Sequence, residues 1–213
     1  MPLSYSPIRK VLVLALTGAL LSGCGLSKTP VTRFYVLNPI EPGLCLVSDT
    51  DRKDPLSIEV ASLRLPQYLE RPQIVTRSSE NQLELAEFHQ WGGNLRKDMM
   101  RVLAKNLSQL LATPHISISP PPPPASPDFR VEVEVMKFER DPDGKVRFSA
   151  QWRLSSGKDR KPLTTQITDL ASPTVQTGPD LEHTVSAMSM LLGELSQMIT
   201  QAIRKHVHSG SDP

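Results

Sequence analysis

Cys24 is the residue of this chain best placed to do chemistry. It closes Leu21-Ser22-Gly23-Cys24, behind an apolar run from Val11 to Leu21 that is broken only by Thr17 and Gly18, and Arg9 and Lys10 precede that run. A basic start, a short apolar stretch and small residues before a cut form a bacterial secretory signal, here with a cysteine at the cleavage point. The apolar run is about half the roughly 20 residues that a spanning helix needs, so a retained transmembrane anchor fits less well. The other reactive side chains are scattered. There is no Gly-x-Ser-x-Gly elbow, no His-Glu-x-x-His, no Walker loop and no Rossmann glycine pattern. His206 and His208 lie close together, but without a cysteine or carboxylate cluster a solvated helix end fits them better than a metal site. Glu132 and Glu134 sit on the polar side of a strand, and Glu182 and His183, as helix neighbours, point apart. No catalytic group, metal or cofactor is expected, and therefore no enzyme.

The tetrapeptide at Cys24 resembles the lipobox of bacterial lipoproteins, in which the sulfur receives a diacylglycerol, palmitate being the natural label, and the chain is cut before the cysteine. Gly25 follows, where an aspartate would hold such a protein at the inner membrane. The resemblance thus implies an anchor in the outer membrane, facing the periplasm. Residues 1 to 23 become the signal peptide, 24 to 32 a tether, 33 to 206 the domain and 207 to 213 a tail. The tether spans at most about 25 Å at roughly 3.3–3.6 Å per residue, which keeps the domain near its membrane.

Cleavage removes Arg9 and Lys10 and no acidic residue, so 24 basic residues fall to 22 against 22 acidic ones. A neutral mature chain offers no electrostatic case for nucleic acid or for steering to anionic lipid. The length suits one domain, and 20 prolines with 5% aromatics imply a lean core with many loops and edges. With Cys24 acylated, Cys45 has no intramolecular partner; beside Leu44 and Leu46 it reads as a small apolar residue, with an intermolecular bridge as the alternative.

The elements follow from periodicity. Arg33 to Leu37 is a strand stopped by Asn38-Pro39, and Ser57 to Val60 is a second. Arg64 to Arg71, with Pro66 and then Pro72, is an ordered loop or a single helical turn. Gln73 to Arg77 and Gln82 to Ala86 form a hairpin about Ser78 to Asn81. Leu95, Met99, Val102, Leu103, Leu107, Leu110 and Leu111 make one helical stripe, opened by Gly92-Gly93-Asn94 and ended by Thr113-Pro114. After the short strand His115 to Ile118, Pro120 to Pro124 reads as a polyproline spacer, with a docking ligand as the weaker reading. Val131, Val133 and Val135 alternate with glutamates, and Val146, Phe148, Ala150, Trp152 and Leu154 with polar residues, across the turn Asp141-Pro142-Asp143-Gly144. Trp152 should face the core, the glutamates and arginines should share the wet face, and the phase break at Met136 and Phe138 predicts a β-bulge near Val135. Leu163 to Asp169 is a further strand, and Asp180 caps a long helix with a stripe from Leu181 to Ile203. The order β, β, hairpin, α, β, hairpin, β, α gives one compact α/β domain with a mixed sheet and packed helices.

Leu65-Pro66-Gln67-Tyr68-Leu69-Glu70-Arg71-Pro72-Gln73-Ile74-Val75-Thr76-Arg77 resembles a segment of the ABC-type transport auxiliary lipoproteins of the PqiC kind. The first strand Phe34-Tyr35-Val36-Leu37, the downstream Trp91, the hairpin strand with Trp152 and the helix around Ser186-Ala187-Met188-Ser189 complete the pattern over almost all of the mature chain. One departure stands out: Trp91 is followed by Gly92-Gly93-Asn94-Leu95, where members often carry Ala-Glu-Pro-Leu, so contacts of that acid and proline do not carry over. The resemblance implies a three-layer α/β/α fold. It also implies a non-enzymatic lipoprotein at the outer-membrane end of a lipid transport system, where a ring of copies docks a periplasmic MCE-domain bridge. A lipoprotein that activates a cell-wall synthase is the alternative. Tyr68, Arg71, Pro72, Arg77 and Trp91 are the expected partner-binding residues, because tyrosine and arginine are enriched at hot spots and this segment has no apolar period. Against this stand an ordered loop whose tyrosine and arginines fix its own backbone, and a Trp91 that anchors the core at the helix start.

Overall fold

The structure, a computed structural model, describes residues 30–41, 55–119, 126–175 and 181–209. Cys24, Cys45, the run Pro120 to Pro124 and Asp180 lie outside these residues. The chain divides after Val31, and the described strands and helices all belong to the unit from Thr32 onward.

Among the described residues, eight strands form a single mixed sheet: β1 (Arg33–Tyr35), β2 (Ile58–Arg64), β3 (Gln73–Ser79), β4 (Gln82–Trp91), β5 (Ile116–Ile118), β6 (Phe129–Arg140), β7 (Lys145–Ser156) and β8 (Pro162–Thr174). Two helices, α1 (Leu95–Leu110) and α2 (Glu182–Ser209), accompany it among the described residues. The element order, the mixed sheet and the single α/β domain are as expected from sequence. The three layers implied by the resemblance are not seen among the described residues, where both helices pack together on one face of the sheet. α2 continues through Ser209, beyond the point where a tail was expected to begin. No helix among the described residues is long and apolar enough to cross a membrane.

β6 organises the sheet. One edge pairs along its length with β7, which pairs in turn with β8, both antiparallel. The N-terminal half of its other edge pairs with β2 in parallel, and β2 pairs with β5. At its far end a single register pair, Thr76 with Arg140, joins it to β3, beyond which lie β4 and the edge strand β1. Thus β1, β4 and β3 form a wing attached to the end of β6.

The predicted bulge is present. The β6–β7 register shifts between Val135 and Lys137 and leaves Met136 exposed. This extra residue reverses the phase of the strand. Before it Val131, Val133 and Val135 face the core; after it Phe138 does, in edge-to-face contact with Phe148 at 5.0 Å. Trp152 lies buried in the core, as expected, and its indole N–H donates to Thr168 Oγ1 at 3.0 Å. The turn Asp141 to Gly144 uses a positive φ of 78° at Gly144, where a Cβ would come within 2.9 Å of Thr174.

α1 lies along β2 and β5, α2 along β6, β7 and β8, and the two helices touch each other. Buried Asn106 joins them, donating to Ser196 Oγ at 3.0 Å while it accepts from the Ile40 backbone N–H at 2.9 Å. Asn94 caps α1 by accepting from Lys97 N–H at 3.0 Å. Among the described residues no helix covers the sheet face opposite these two; it carries Ser62, Arg64, Glu132, Glu134, Gln151 and Arg153 around a shallow recess of about 160 Å³. Glu132 and Arg153 stand in register 3.7 Å apart, which is the shared wet face expected of the hairpin.

Candidate partner-docking site

The segment between β2 and β3 has too few apolar residues to pack by itself, so its shape must come from elsewhere. Pro66 is held near φ −63°, ψ 146° and opens a 3-10 turn over Gln67–Leu69, closed by Leu69 N–H to Pro66 O at 2.9 Å. Leu69 is the buried side chain of that turn. A turn with one apolar peg needs a polar tie to hold its orientation.

Glu139 supplies it. The phase reversal at the bulge turns Glu139 away from the helices, yet it is wholly buried because Tyr68 and Arg77 cover it. Tyr68 Oη donates to Glu139 Oε2 at 2.7 Å, and the Phe138 backbone N–H donates to the same oxygen at 3.0 Å. Arg77 donates from Nε and Nη2 to Oε1 at 3.0 and 2.8 Å, and from Nη1 to the Glu80 carbonyl at 2.7 Å. Four donors thus meet one buried carboxylate, two of them from a guanidinium, which is the strong, charge-assisted kind of hydrogen bond. Burial, and then the neighbouring Glu139, push the Tyr68 hydroxyl above its ordinary pKa of 10.0, and the Glu139 hydrogen bond raises that of Arg77. Asp141, at 2.7 Å from Lys137 and 3.3 Å from Arg147, extends the charges to the hairpin turn.

Trp91 ends β4 and is buried beside Tyr35, with which it is in register. Its backbone N–H donates to Pro72 O at 2.7 Å, which ties the end of the segment to the wing. The indole therefore lies in the core, at the end of a strand and ahead of the helix start. Arg71 and Pro72 stand apart from Tyr68 and Arg77. With Glu70 and the entry to α1, from Gly93 to Arg96, they line a recess of about 270 Å³. Glu70, Pro72 and Arg96 are exposed there, while Arg71 is partly buried with its Nε unpaired.

Of the five sequence-selected residues, then, the structure brings Tyr68 and Arg77 together on Glu139, puts Trp91 in the core and leaves Arg71 and Pro72 at the surface. Glu139 was missed. One acid among 22 carries no local mark, and its partners lie 62 and 71 residues away. His206 is tied to the sheet, its Nε2 2.9 Å from Thr164 Oγ1, while His208 is exposed at the helix end with its Nδ1 2.7 Å from the Arg204 carbonyl. No cluster of three potential metal ligands occurs among the described residues.

Residues 35–200 match a family described as the ABC-type transport auxiliary lipoprotein component. No curated protein matches the chain. Among solved structures, an uncharacterized protein superimposes with a TM-score of 0.64 at 20% identity, covering 82% of this chain and 99% of its own. XCC0632 from Xanthomonas campestris, of the DUF330 family, does so at 0.62 and 15% identity, covering 86% of this chain and 100% of its own. At these identities the two structures establish the fold alone.

Proposed function

We propose that this chain, which belongs to the ABC-type transport auxiliary lipoprotein family, is a non-enzymatic part of an intermembrane lipid transport system. In this reading a lipid on Cys24 holds it to the periplasmic face of the outer membrane, and copies of it form a ring that docks an MCE-domain bridge.

The observation that carries the docking role is the build of the Leu65–Arg77 segment. Tyr68, Arg77 and Trp91 hold it from within, through Glu139 and the Pro72 carbonyl. A segment fixed before it meets a partner loses little entropy on binding. Outward the segment exposes Gln67, Glu70 and Pro72, with Arg71 partly buried between the last two and Arg96 beside them. Tyr68, Arg77 and Trp91 are thus positioning residues in this reading, and Arg71 with Pro72 makes the contact.

Two experiments test it. Cys24→Ala should lose palmitate label and outer-membrane fractionation together; a label unchanged by that substitution removes the lipoprotein anchor. Arg71→Ala should melt like the parent yet fail to retain a periplasmic MCE-domain protein in a pull-down. Full retention would move the docking surface away from this segment.

A further inference from the structure

The strand that leads in from the tether is apolar on both sides. Tyr35 and Leu37 face the core, while Phe34 and Val36, one step out of phase, are 66% and 52% exposed. Strands with two apolar faces are normally covered on both. The register places Phe34 opposite Gln90 on β4. Phe88, 37% exposed, lies two residues before Gln90 and so on the same outward face. Val36 continues the row beside Gly92, where a Cβ would sit 3.0 Å from its Cγ1. Phe34, Val36, Phe88 and Gln90 therefore form an outward surface of two aromatic rings, a branched aliphatic and one neutral amide. β1 also has no strand on its outer edge among the described residues.

We infer that this Phe34–Val36–Phe88 surface rests in the interfacial layer of the bilayer to which Cys24 is anchored, and so sets the orientation of the domain on the membrane. The inference rests on the proposed Cys24 anchor. Its first support is chain length. Phe34 is ten residues from Cys24, so at roughly 3.3–3.6 Å per residue it stays within about 36 Å of the acylated sulfur. Its second is area. A wholly buried phenylalanine removes about 150–250 Å² from water, so two partly exposed rings and a valine offer roughly 400 Å² at most. A stable protein pair needs about 800 Å² on each side. A bilayer needs no matching surface, and a weak apolar contact suffices once a lipid already confines the domain there. A patch without charge also matches a mature chain of zero net charge, which anionic lipid would not otherwise orient.

The test uses the full lipidated chain in phosphatidylethanolamine–phosphatidylglycerol vesicles, with a nitroxide on Phe34→Cys in a Cys45→Ser background. A second sample carries the label on Gln151→Cys, on the open polar face. Oxygen collisions, relative to those of a water-soluble nickel chelate, should be several-fold more frequent at position 34 than at 151. Equal, water-like values at both positions in protein that floats with the vesicles would overturn the inference and leave the anchor intact. Spin–spin broadening at position 34 that disappears on dilution with unlabelled chain would assign the surface to a second copy and overturn it too. Parent protein that does not float removes the anchor, and the inference with it.

Discussion

The β6–β7 hairpin and the β1-β4-β3 wing belong to one sheet but are held by different physics. In the hairpin every second side chain is apolar and buried, from Val131 to Val135 and from Val146 to Leu154, and each is backed by neighbours in the same layer. The wing pairs with β6 at one register position and through one buried carboxylate; Tyr35, Ile74, Val75 and Trp91 add it to the core, but much of β4 is wet on both sides. Redundant packing spreads the cost of a change, and a charge network concentrates it. A buried acid with its partners in place is neutral or nearly so for stability, yet removal of one partner leaves the others desolvated and unmatched.

Trp152→Ala should have the largest effect, about 3–5 kcal/mol, because it empties a large packed volume and leaves Thr168 without its donor. The loss should appear as a lower denaturant midpoint and as raised amide exchange throughout the sheet. An unchanged midpoint would break the comparison at its apolar end. Glu139→Gln should cost about 2–4 kcal/mol; Arg77 keeps some access to water, which places the value below that of a fully buried pair. The distribution sharpens the contrast here, since amides of β3 and β4 should exchange faster while β7 and β8 stay protected. Uniform loss across the sheet would mean that wing and hairpin unfold as one.

Tyr68→Phe should cost about 1–2 kcal/mol at neutral pH, because Glu139 keeps its other three donors. Its pH dependence has a definite sign. With the folded pKa raised above 10.0, the folded chain retains a proton that the unfolded chain gives up. That contribution is complete below about pH 10 and declines as pH rises beyond it. The gap in midpoint between parent and Tyr68→Phe should stay constant up to about pH 9 and narrow above about pH 10. A gap that widens instead would put the phenolate in the fold. Arg153→Ala should have the smallest effect, roughly 0.2–1 kcal/mol, and none in high salt, because its pairing with Glu132 is largely exposed. A cost near that of Glu139→Gln would show that the open face is covered.

Local periodicity was enough to specify the hairpin, the bulge and both helices, and the prolines narrowed the stretch before β3 to an ordered loop or a single helical turn, because each is written in side chains no more than a few residues apart. The alternation of Val131 to Val135 and the phase break at Met136 located the bulge before any tertiary contact was known. The stripe from Leu95 to Leu110 and its Asn94 cap set α1 in the same way. β4 was legible only as far as Ala86. From Glu87 to Trp91 charged, aromatic and polar residues follow one another without alternation, and it is parallel pairing with β1, more than fifty residues earlier in the chain, that extends the strand. The same limit governs the candidate site. Composition and proline spacing picked out Tyr68, Arg71, Pro72, Arg77 and Trp91 as one group, since a sequence records which side chains can make a contact. Their division into residues that hold the segment and residues that face outward depends on where Glu139 arrives. Only the assembled sheet brings Glu139 to that place, because the bulge sets which face it takes and β3 must reach the end of β6 before its charge meets a partner.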